Sequence, residues 1–194
     1  VLPLPAMERT LRFQMDEAEA IGKMNALAGK PLPITATCFR DRGLTLRLSG
    51  AEPAVRAARA KLGGDEIADG DAFWASVREQ THPFFSGNEE NRNLWRLSIK
   101  STTPPLRLPG KQLMEWGGAL RWLTIDPEDT DAVRAAIRQA AKVAGGHATL
   151  FRTDGPRTGV FHPLAPAMMT ITRRLKEKFD PMGLFNPGRM YPEL

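Results

Sequence analysis

Apolar and polar residues alternate with a period of two in several short runs, and a helical period takes over between them. The first run, residues 10–15, places Leu11, Phe13 and Met15 on one face of a strand. Asp16 then stands at an N-cap with Glu19 at capping-box spacing, and Ile21, Met24, Leu27 and Ala28 form one stripe that Gly29 ends. Residues 34–40 and 44–49 are two further alternating runs around Asp41-Arg42-Gly43, a hairpin with Leu44, Leu46 and Leu48 inward. Pro53 opens a second helix carrying Val55, Ala58 and Leu62 on one side and stopped at Gly63-Gly64. A helix over 71–79 buries Phe73, Trp74 and Val77 before His82-Pro83 breaks it, and a polar loop covers 86–93. Trp95, Leu97 and Ile99 alternate with Arg96, Ser98 and Lys100 in a fourth strand. The order so far is β-α-β-β-α-β, the ferredoxin-like arrangement.

The second half partly repeats this order without a close sequence repeat. After a Pro-rich loop at 103–110, strands are predicted over 112–116 and 119–125, joined at Gly117-Gly118. A helix started by Asp129 or Thr130 is lined by Val133, Ile137, Ala140 and Ala144 and closed by Gly145-Gly146; residues 147–152 form another strand. A loop over 153–159 precedes a last helix that takes Met168, Ile171, Leu175 and Phe179 inward. The fold class is α+β: a single domain built on an antiparallel sheet of about six or seven strands, with helices mainly on one face.

Composition narrows the picture. At 194 residues, 42% hydrophobic and 25% charged, the chain suits a globular domain with a real core, and no run approaches a membrane span. Val1-Leu2-Pro3-Leu4-Pro5 has no initiator Met and no basic leader, so it reads as the cut end of something longer and not as a signal peptide. A formal charge of +5 permits an acidic partner, but 27 basic residues scattered among 22 acidic ones make a poor nucleic-acid footprint. The single cysteine, Cys38, alternates with Ile34 and Ala36, reads as core filling and fits a reducing cytoplasm.

Candidate chemistry is sparse. Metal binding fails on counting, with dispersed histidines and a lone cysteine, and the acidic run Asp126-Pro127-Glu128-Asp129-Thr130-Asp131 reads as a helix N-terminus and not a calcium loop. No Gly-x-Gly-x-x-Gly or Gly-x-Ser-x-Gly motif exists, and the glycine pairs stand at element ends, where caps and turns need them. His162, set before Pro163 after a loop, is the histidine best placed to face a pocket; His147 opens a strand and His82 terminates a helix. Arg152 and Arg96 lie on predicted strands opposite their apolar neighbours, facing either a cleft or solvent. In the terminal stretch, the steps before Pro181 and Pro187 hold Asp180 and Asn186 out of helical geometry, and Gly183 and Gly188 supply turns. Leu184 and Phe185 are apolar enough to pin that loop to a surface from which Arg189 emerges.

Arg174-Leu175-Lys176, Phe179-Asp180-Pro181 and Phe185-Asn186-Pro187-Gly188-Arg189 together resemble the terminal signature of FAD-linked oxidases of the vanillyl-alcohol oxidase type. Trp116-Gly117-Gly118-Ala119-Leu120-Arg121-Trp122-Leu123, Gly145-Gly146-His147-Ala148-Thr149 and Phe161-His162-Pro163-Leu164 resemble, more narrowly, the E-subunit family of bacterial glycolate oxidases. The resemblance implies that residues 1–194 are the C-terminal substrate, or cap, domain of an FAD-dependent 2-hydroxy-acid oxidoreductase, with FAD held chiefly by an N-terminal domain outside this chain. It implies a D-type flavoprotein subunit and an iron-sulfur subunit as partners, a cytoplasmic position peripheral to the membrane, and a fragment inactive alone that holds no FAD. By the same resemblance Asn186, Gly188, Arg189, Gly117 and Gly118 contact the cofactor, while hydroxy-acid oxidation asks for a base and a cation, for which His162, Arg152 and Arg96 are the candidates. The His-x-x-Gly-Asp run of the related D-subunit metal site is missing from the sequence. A non-catalytic assembly or binding module of ferredoxin-like fold is the alternative. Its RNA-binding form lacks the paired aromatic strand motifs, although Trp95 and Trp122 sit on strands; in its assembly form an exposed Trp116 or Trp122 would be an interface anchor.

Overall fold

A computed structural model describes residues 4–86, 93–125, 131–153 and 159–194. The expected cap at Asp129 or Thr130, most of the acidic run before it, and most of the loops at 86–93 and 153–159 lie outside the described residues. Strands β1 (Met7–Gln14), β2 (Ile34–Arg40), β3 (Gly43–Gly50), β4 (Asp65–Glu66), β5 (Asn93–Ser98), β6 (Lys111–Glu115), β7 (Leu120–Ile125) and β8 (His147–Arg152) form one sheet. Its order is β4-β1-β3-β2-β6-β7-β5-β8, and every neighbouring pair is antiparallel. Helices α1 (Glu17–Ala28), α2 (Glu52–Leu62), α3 (Gly70–Arg78), α4 (Pro83–Ser86), α5 (Asp131–Val143) and α6 (Pro166–Phe179) complete the fold. Asp16 caps α1 as a full capping box, its carboxylate accepting from Glu19 N at 2.8 Å while Glu19 accepts from Asp16 N at 3.0 Å.

The sheet is two ferredoxin-like units set edge to edge. β4-β1-β3-β2 is the order fourth, first, third, second, and β8-β5-β7-β6 repeats it from the other side. The strand of Trp95 and Leu97 therefore opens the second unit and does not close the first. The true fourth strand, Asp65–Glu66, is two exposed acidic residues with no alternation to betray it. The second unit has no counterpart of α1: residues 99–110 contain no helix, and they are held from beneath by Arg121 of β7. Arg121 is completely buried and donates to the carbonyls of Gly118 (3.3 Å), Pro104 (3.0 Å) and Thr103.

The core lies chiefly on one face. There α1 packs Ile21, Met24 and Leu27 over Phe39, Leu44, Leu46 and Met114; α2 sets Val55 and Ala58 on Leu11 and Leu48. α5 lays Ile137 and Ala141 on Trp95, Leu97 and Leu123. Each such large side chain contributes about 1.5–3 kcal/mol by leaving water. On the opposite face α3 and α4 cross the middle of the sheet, where Trp74, Val77, Phe84 and Phe85 meet Cys38, Leu94, Leu113 and Trp122. Trp74 Nε1 donates to Thr10 Oγ1 at 2.9 Å, which ties α3 to β1.

The last helix departs from expectation. α6 buries none of its residues: Met168, Ile171, Leu175 and Phe179 are all exposed, Phe179 to 83%, and so are Leu184 and Phe185 beyond it. The apolar stripe that predicts a core face is present, but among the described residues it meets no complementary surface. No helix among the described residues is long and apolar enough to cross a membrane.

Candidate active site at the junction of the two units

β2 and β6 pair only through Cys38↔Glu115 and Phe39↔Met114. Beyond that point β2 bulges between Ile34 and Ala36, and β6 gives way to a tight turn, Trp116–Gly118. The two units part there, and a cavity of about 890 Å³ opens between them, walled by Trp74, Leu120, Trp122 and Phe151 with Trp116 at its side. Trp122 meets Phe85 and Phe151 edge-on at 5.5 and 5.1 Å, so the aromatic wall is braced from both sides.

The turn is built to present its indole. Trp116, Gly117 and Gly118 have φ of 52°, 66° and 93°. For tryptophan that left-handed geometry costs about 1–2 kcal/mol. Gly117 N donates to Thr37 Oγ1 at 2.7 Å, which bridges the gap between the units, and the side chain of Trp116 is left 68% exposed. A Cβ on Gly118 would lie 3.0 Å from the Ser101 carbonyl, so this position needs glycine for space as well as for φ. A Cβ on Gly117 would touch nothing within 4 Å.

Charge is distributed unevenly around the cavity. Among the described residues, Lys30, Arg47, Arg78 and Arg96 line it together with a single carboxylate, Glu115. Arg47 Nε donates to Thr35 Oγ1 at 2.9 Å and Arg78 pairs with Glu79 at 2.7 Å. Arg96 makes neither a hydrogen bond nor an ion pair among the described residues; its guanidinium lies 5.9 Å from the Trp116 ring centre. A half-buried guanidinium without an acceptor, beside an indole, suits a planar anion that it grips in a fork. Glu115 Oε2 accepts from Trp122 Nε1 at 2.7 Å. Burial raises the Glu115 pKa above the ordinary carboxylate value, outweighing the Trp122 hydrogen bond and the Arg96 charge that lower it. Beneath the site, burial pushes the Cys38 thiol up to about 12, with the Glu115 charge adding to the rise and Arg40 opposing it; the thiol is a neutral filler.

The residues singled out in the sequence fall in three places. Arg96 and Gly117 line the cavity, and Gly118 forms the back of the same turn. Arg152 stands at its rim, donating to Gln80 Oε1 at 3.0 Å and to the Phe85 carbonyl at 3.4 Å; Gln80 itself lines the cavity. His162 lies along the outer edge of the sheet, where its Nδ1 accepts from Ala148 N at 3.3 Å and its carbonyl accepts from Tyr191 Oη at 3.1 Å. Burial is the main cause that lowers the His162 pKa, followed by the charges of His147, Arg138 and Lys142. Asn186, Gly188 and Arg189 sit exposed on the terminal loop, outside the cavity lining. That loop is shaped by Asp180, whose carboxylate accepts from Leu184 N and Phe185 N, both at 2.9 Å, and from Lys176 Nζ at 2.5 Å. These bonds, Lys176 first, pull the Asp180 pKa down to about 2, so the loop keeps its shape through the neutral range.

Sequence reasoning missed Glu115, an acid of the cavity lining. Its signal was a carboxylate two residues after Leu113, on the same face of a strand whose neighbours are buried. The Trp116 strain leaves no sequence signal beyond the two glycines that follow it.

Set against a flavin dinucleotide, the site fits part of the molecule. Trp116, Trp122 and the lone guanidinium of Arg96 suit a flat ring edge and a carboxylate. No Gly-x-Gly-x-x-Gly turn leads into any of the helices to take the diphosphate.

No protein-family model matches the chain. Glycolate oxidase subunit GlcE of Escherichia coli (strain K12) is 44% identical to it over 194 residues, 100% of this chain and 52% of that subunit. The chain thus spans about half the length of the curated relative it matches. Identity of 44% sustained from end to end makes this chain a homologue of glycolate oxidase subunit GlcE throughout the part of that protein it spans.

Proposed function

We propose that the chain is the substrate-facing cap domain of an FAD-dependent oxidoreductase of the glycolate oxidase type, which converts a small 2-hydroxy acid into a 2-oxo acid. The observation that carries this is Arg96, a guanidinium without a protein acceptor among the described residues, on the wall of a cavity that also carries Trp74, Trp116, Trp122 and Phe151. In this reading Arg96 holds the substrate carboxylate, Arg152 fixes the rim through Gln80, and Gly117 with Gly118 lets the Trp116 turn come close to a flat ring. When bound, FAD supplies the two-electron acceptor for the alcohol carbon. The FAD is held chiefly by an N-terminal domain outside this chain, which the exposed stripe of α6 and the terminal loop face; Asn186, Gly188 and Arg189 reach the cofactor from that loop, while His162, tied to Ala148 and Tyr191 at the sheet edge, shapes that edge and not the cavity. A D-type flavoprotein subunit and an iron-sulfur subunit complete the complex in the cytoplasm, at the inner face of the membrane.

The test is glycolate binding to the 194-residue chain, followed by tryptophan fluorescence, since Trp116 and Trp122 border the site. Arg96→Met is expected to weaken binding by roughly 10- to 100-fold, the range for losing a charge-assisted fork. Flavin retention is measured beside it, on a longer chain that includes the N-terminal domain, with Arg189→Ala expected to weaken retention or shift the potential. Unchanged glycolate affinity in Arg96→Met would sink the substrate assignment. A second reading, a non-catalytic assembly module, draws on the unburied stripe of Met168, Ile171, Leu175 and Phe179. It takes over if the longer chain holds no flavin and the cavity binds no hydroxy acid.

A further inference from the structure

Whatever anchors the carboxylate, oxidation of an alcohol also requires a group that takes the hydroxyl proton. We infer that Glu115 is that group, and that it acts on a 2-hydroxy acid held by Arg96 in the junction cavity. The inference rests on the reading of the cavity given above. Glu115 is the one carboxylate of the lining among the described residues, it stands at the last position of β6 before the Trp116 turn, and Trp122 Nε1 fixes its Oε2. Among the described residues Oε1 has no hydrogen-bond donor, so one oxygen is anchored and the other is left for a ligand. Arg96 and Trp122 are directly opposite one another on β5 and β7, and Glu115 is opposite Leu120 on the same strand β7. Anchor and acceptor thus share one face of adjoining strands, and Arg96 is close enough for its charge to act on Glu115.

The step balances as follows. The O–H bond of the substrate breaks and its proton passes to Glu115. FAD, when bound, would accept the electron pair of the alcohol C–H bond as hydride, so that the C=O bond forms as that C–H bond breaks. Solvent in the open cavity then takes the proton from Glu115. Burial prepares the carboxylate for this, because its raised pKa makes it a stronger base than an exposed glutamate.

The groups that face Glu115 set the sign of the pH dependence. Arg96 faces it from β5, the neutral Cys38 thiol from β2 across the Cys38↔Glu115 pair, and Arg47 of β3 and Arg78 of α3 share its cavity. Only ionised Glu115 accepts the proton, so turnover is lost as pH falls through its raised pKa. A bound carboxylate adds negative charge nearby and raises that pKa further, so binding in this range draws a proton from the buffer.

The experiment has two arms. In the first, glycolate is titrated calorimetrically into the 194-residue chain in two buffers of different ionisation heat, across pH 4 to 8. Wild type is expected to take up protons on the acid side of this range. Glu115→Gln is expected to take up none while binding glycolate within about threefold of wild type or more tightly, since a repelling charge is gone. Trp122→Phe, which keeps a ring but removes the N–H donor, is expected to move the uptake to higher pH. In the second arm, glycolate reduces the flavin of the longer chain under stopped-flow, and Glu115→Gln is expected to slow reduction by about 10²- to 10⁴-fold with loss of the acid limb. Glycolate binding that is normal, Arg96-dependent and equally pH-linked in Glu115→Gln overturns the role of Glu115 and leaves the cavity assignment standing. No glycolate binding by wild type overturns both.

Discussion

Replacing Arg121 by leucine is expected to lower the unfolding free energy by about 3–5 kcal/mol, the cost of removing one member of a buried charged network. The guanidinium is fully buried and spends its donors on the carbonyls of Thr103, Pro104 and Gly118, with Glu17 of α1 3.9 Å away. Leucine fills part of the volume but leaves the buried bonds to the Gly118 and Thr103 carbonyls without a donor. Burial lowers the Arg121 pKa and Glu17 opposes the shift, yet an arginine stays charged throughout the neutral range, so the loss is independent of pH there. Glu17 itself has a pKa raised by burial, which Arg121 moderates. Urea unfolding followed by tryptophan fluorescence measures the change. Arg121→Lys is expected to recover only part of it, because an ammonium cannot serve in fixed directions the carbonyls that the planar fork reaches. A loss under about 1 kcal/mol for Arg121→Leu would mean that water satisfies the loop carbonyls and that the network is not closed.

Arg121 also explains where sequence reading reaches and where it stops. Along β7 the two faces carry Leu120, Trp122 and Thr124, and Arg121, Leu123 and Ile125, and all are buried. Alternation finds such a strand but not the burial of its one cation, because that burial depends on a loop replacing a helix in the second unit. Elements carried by a long period were legible: the capping box of α1, the hairpin β2-β3, and α5 through Val133 and Ile137. β4 was not, since pairing alone defines a strand of two exposed acids. The ferredoxin-like order was legible as a motif, but which strand closes the first unit was decided by pairing between residues far apart in sequence. In the site, Arg96 stood out as a charge on an otherwise alternating strand, whereas Glu115 acquires its character from the parting of β2 and β6, which no local pattern records. α6 shows the opposite failure: its stripe is a true amphipathic signal, and only the surface it meets was misjudged.

The pair Gly145-Gly146, uniform in sequence as a helix stop, separates into two different demands in space, and alanine at each position tests the difference. Gly145 closes α5 with its N–H on the Lys142 carbonyl at 2.9 Å and adopts φ of 72°. Its Cβ would meet the Lys100 side chain at 2.8 Å, which is long enough to swing aside. Gly145→Ala is therefore expected to cost about 1–2 kcal/mol, the penalty for an L-residue in left-handed geometry. Gly146 has no such φ, but its Cβ would fall 1.9 Å from the Ser98 carbonyl oxygen and 2.8 Å from Ile99 Cα, both backbone atoms of the chain it crosses. Nothing there rotates away, so the start of β8 must move off β5, breaking the pairing that begins at Ser98↔His147. Gly146→Ala is expected to cost about 3 kcal/mol or more, at or beyond the upper end of overpacking penalties. The damage should propagate along β8 to Phe151, which braces Trp122, so glycolate affinity falls with stability in Gly146→Ala and stays near wild type in Gly145→Ala. Amide exchange at Thr149, which pairs with Arg96 and faces β5 because the N–H groups of Ala148 and Leu150 turn to His162 and Val160, locates the loosening in β8. Equal losses at the two glycines would mean that helix closure alone sets the requirement and that β8 does not lie this close to β5.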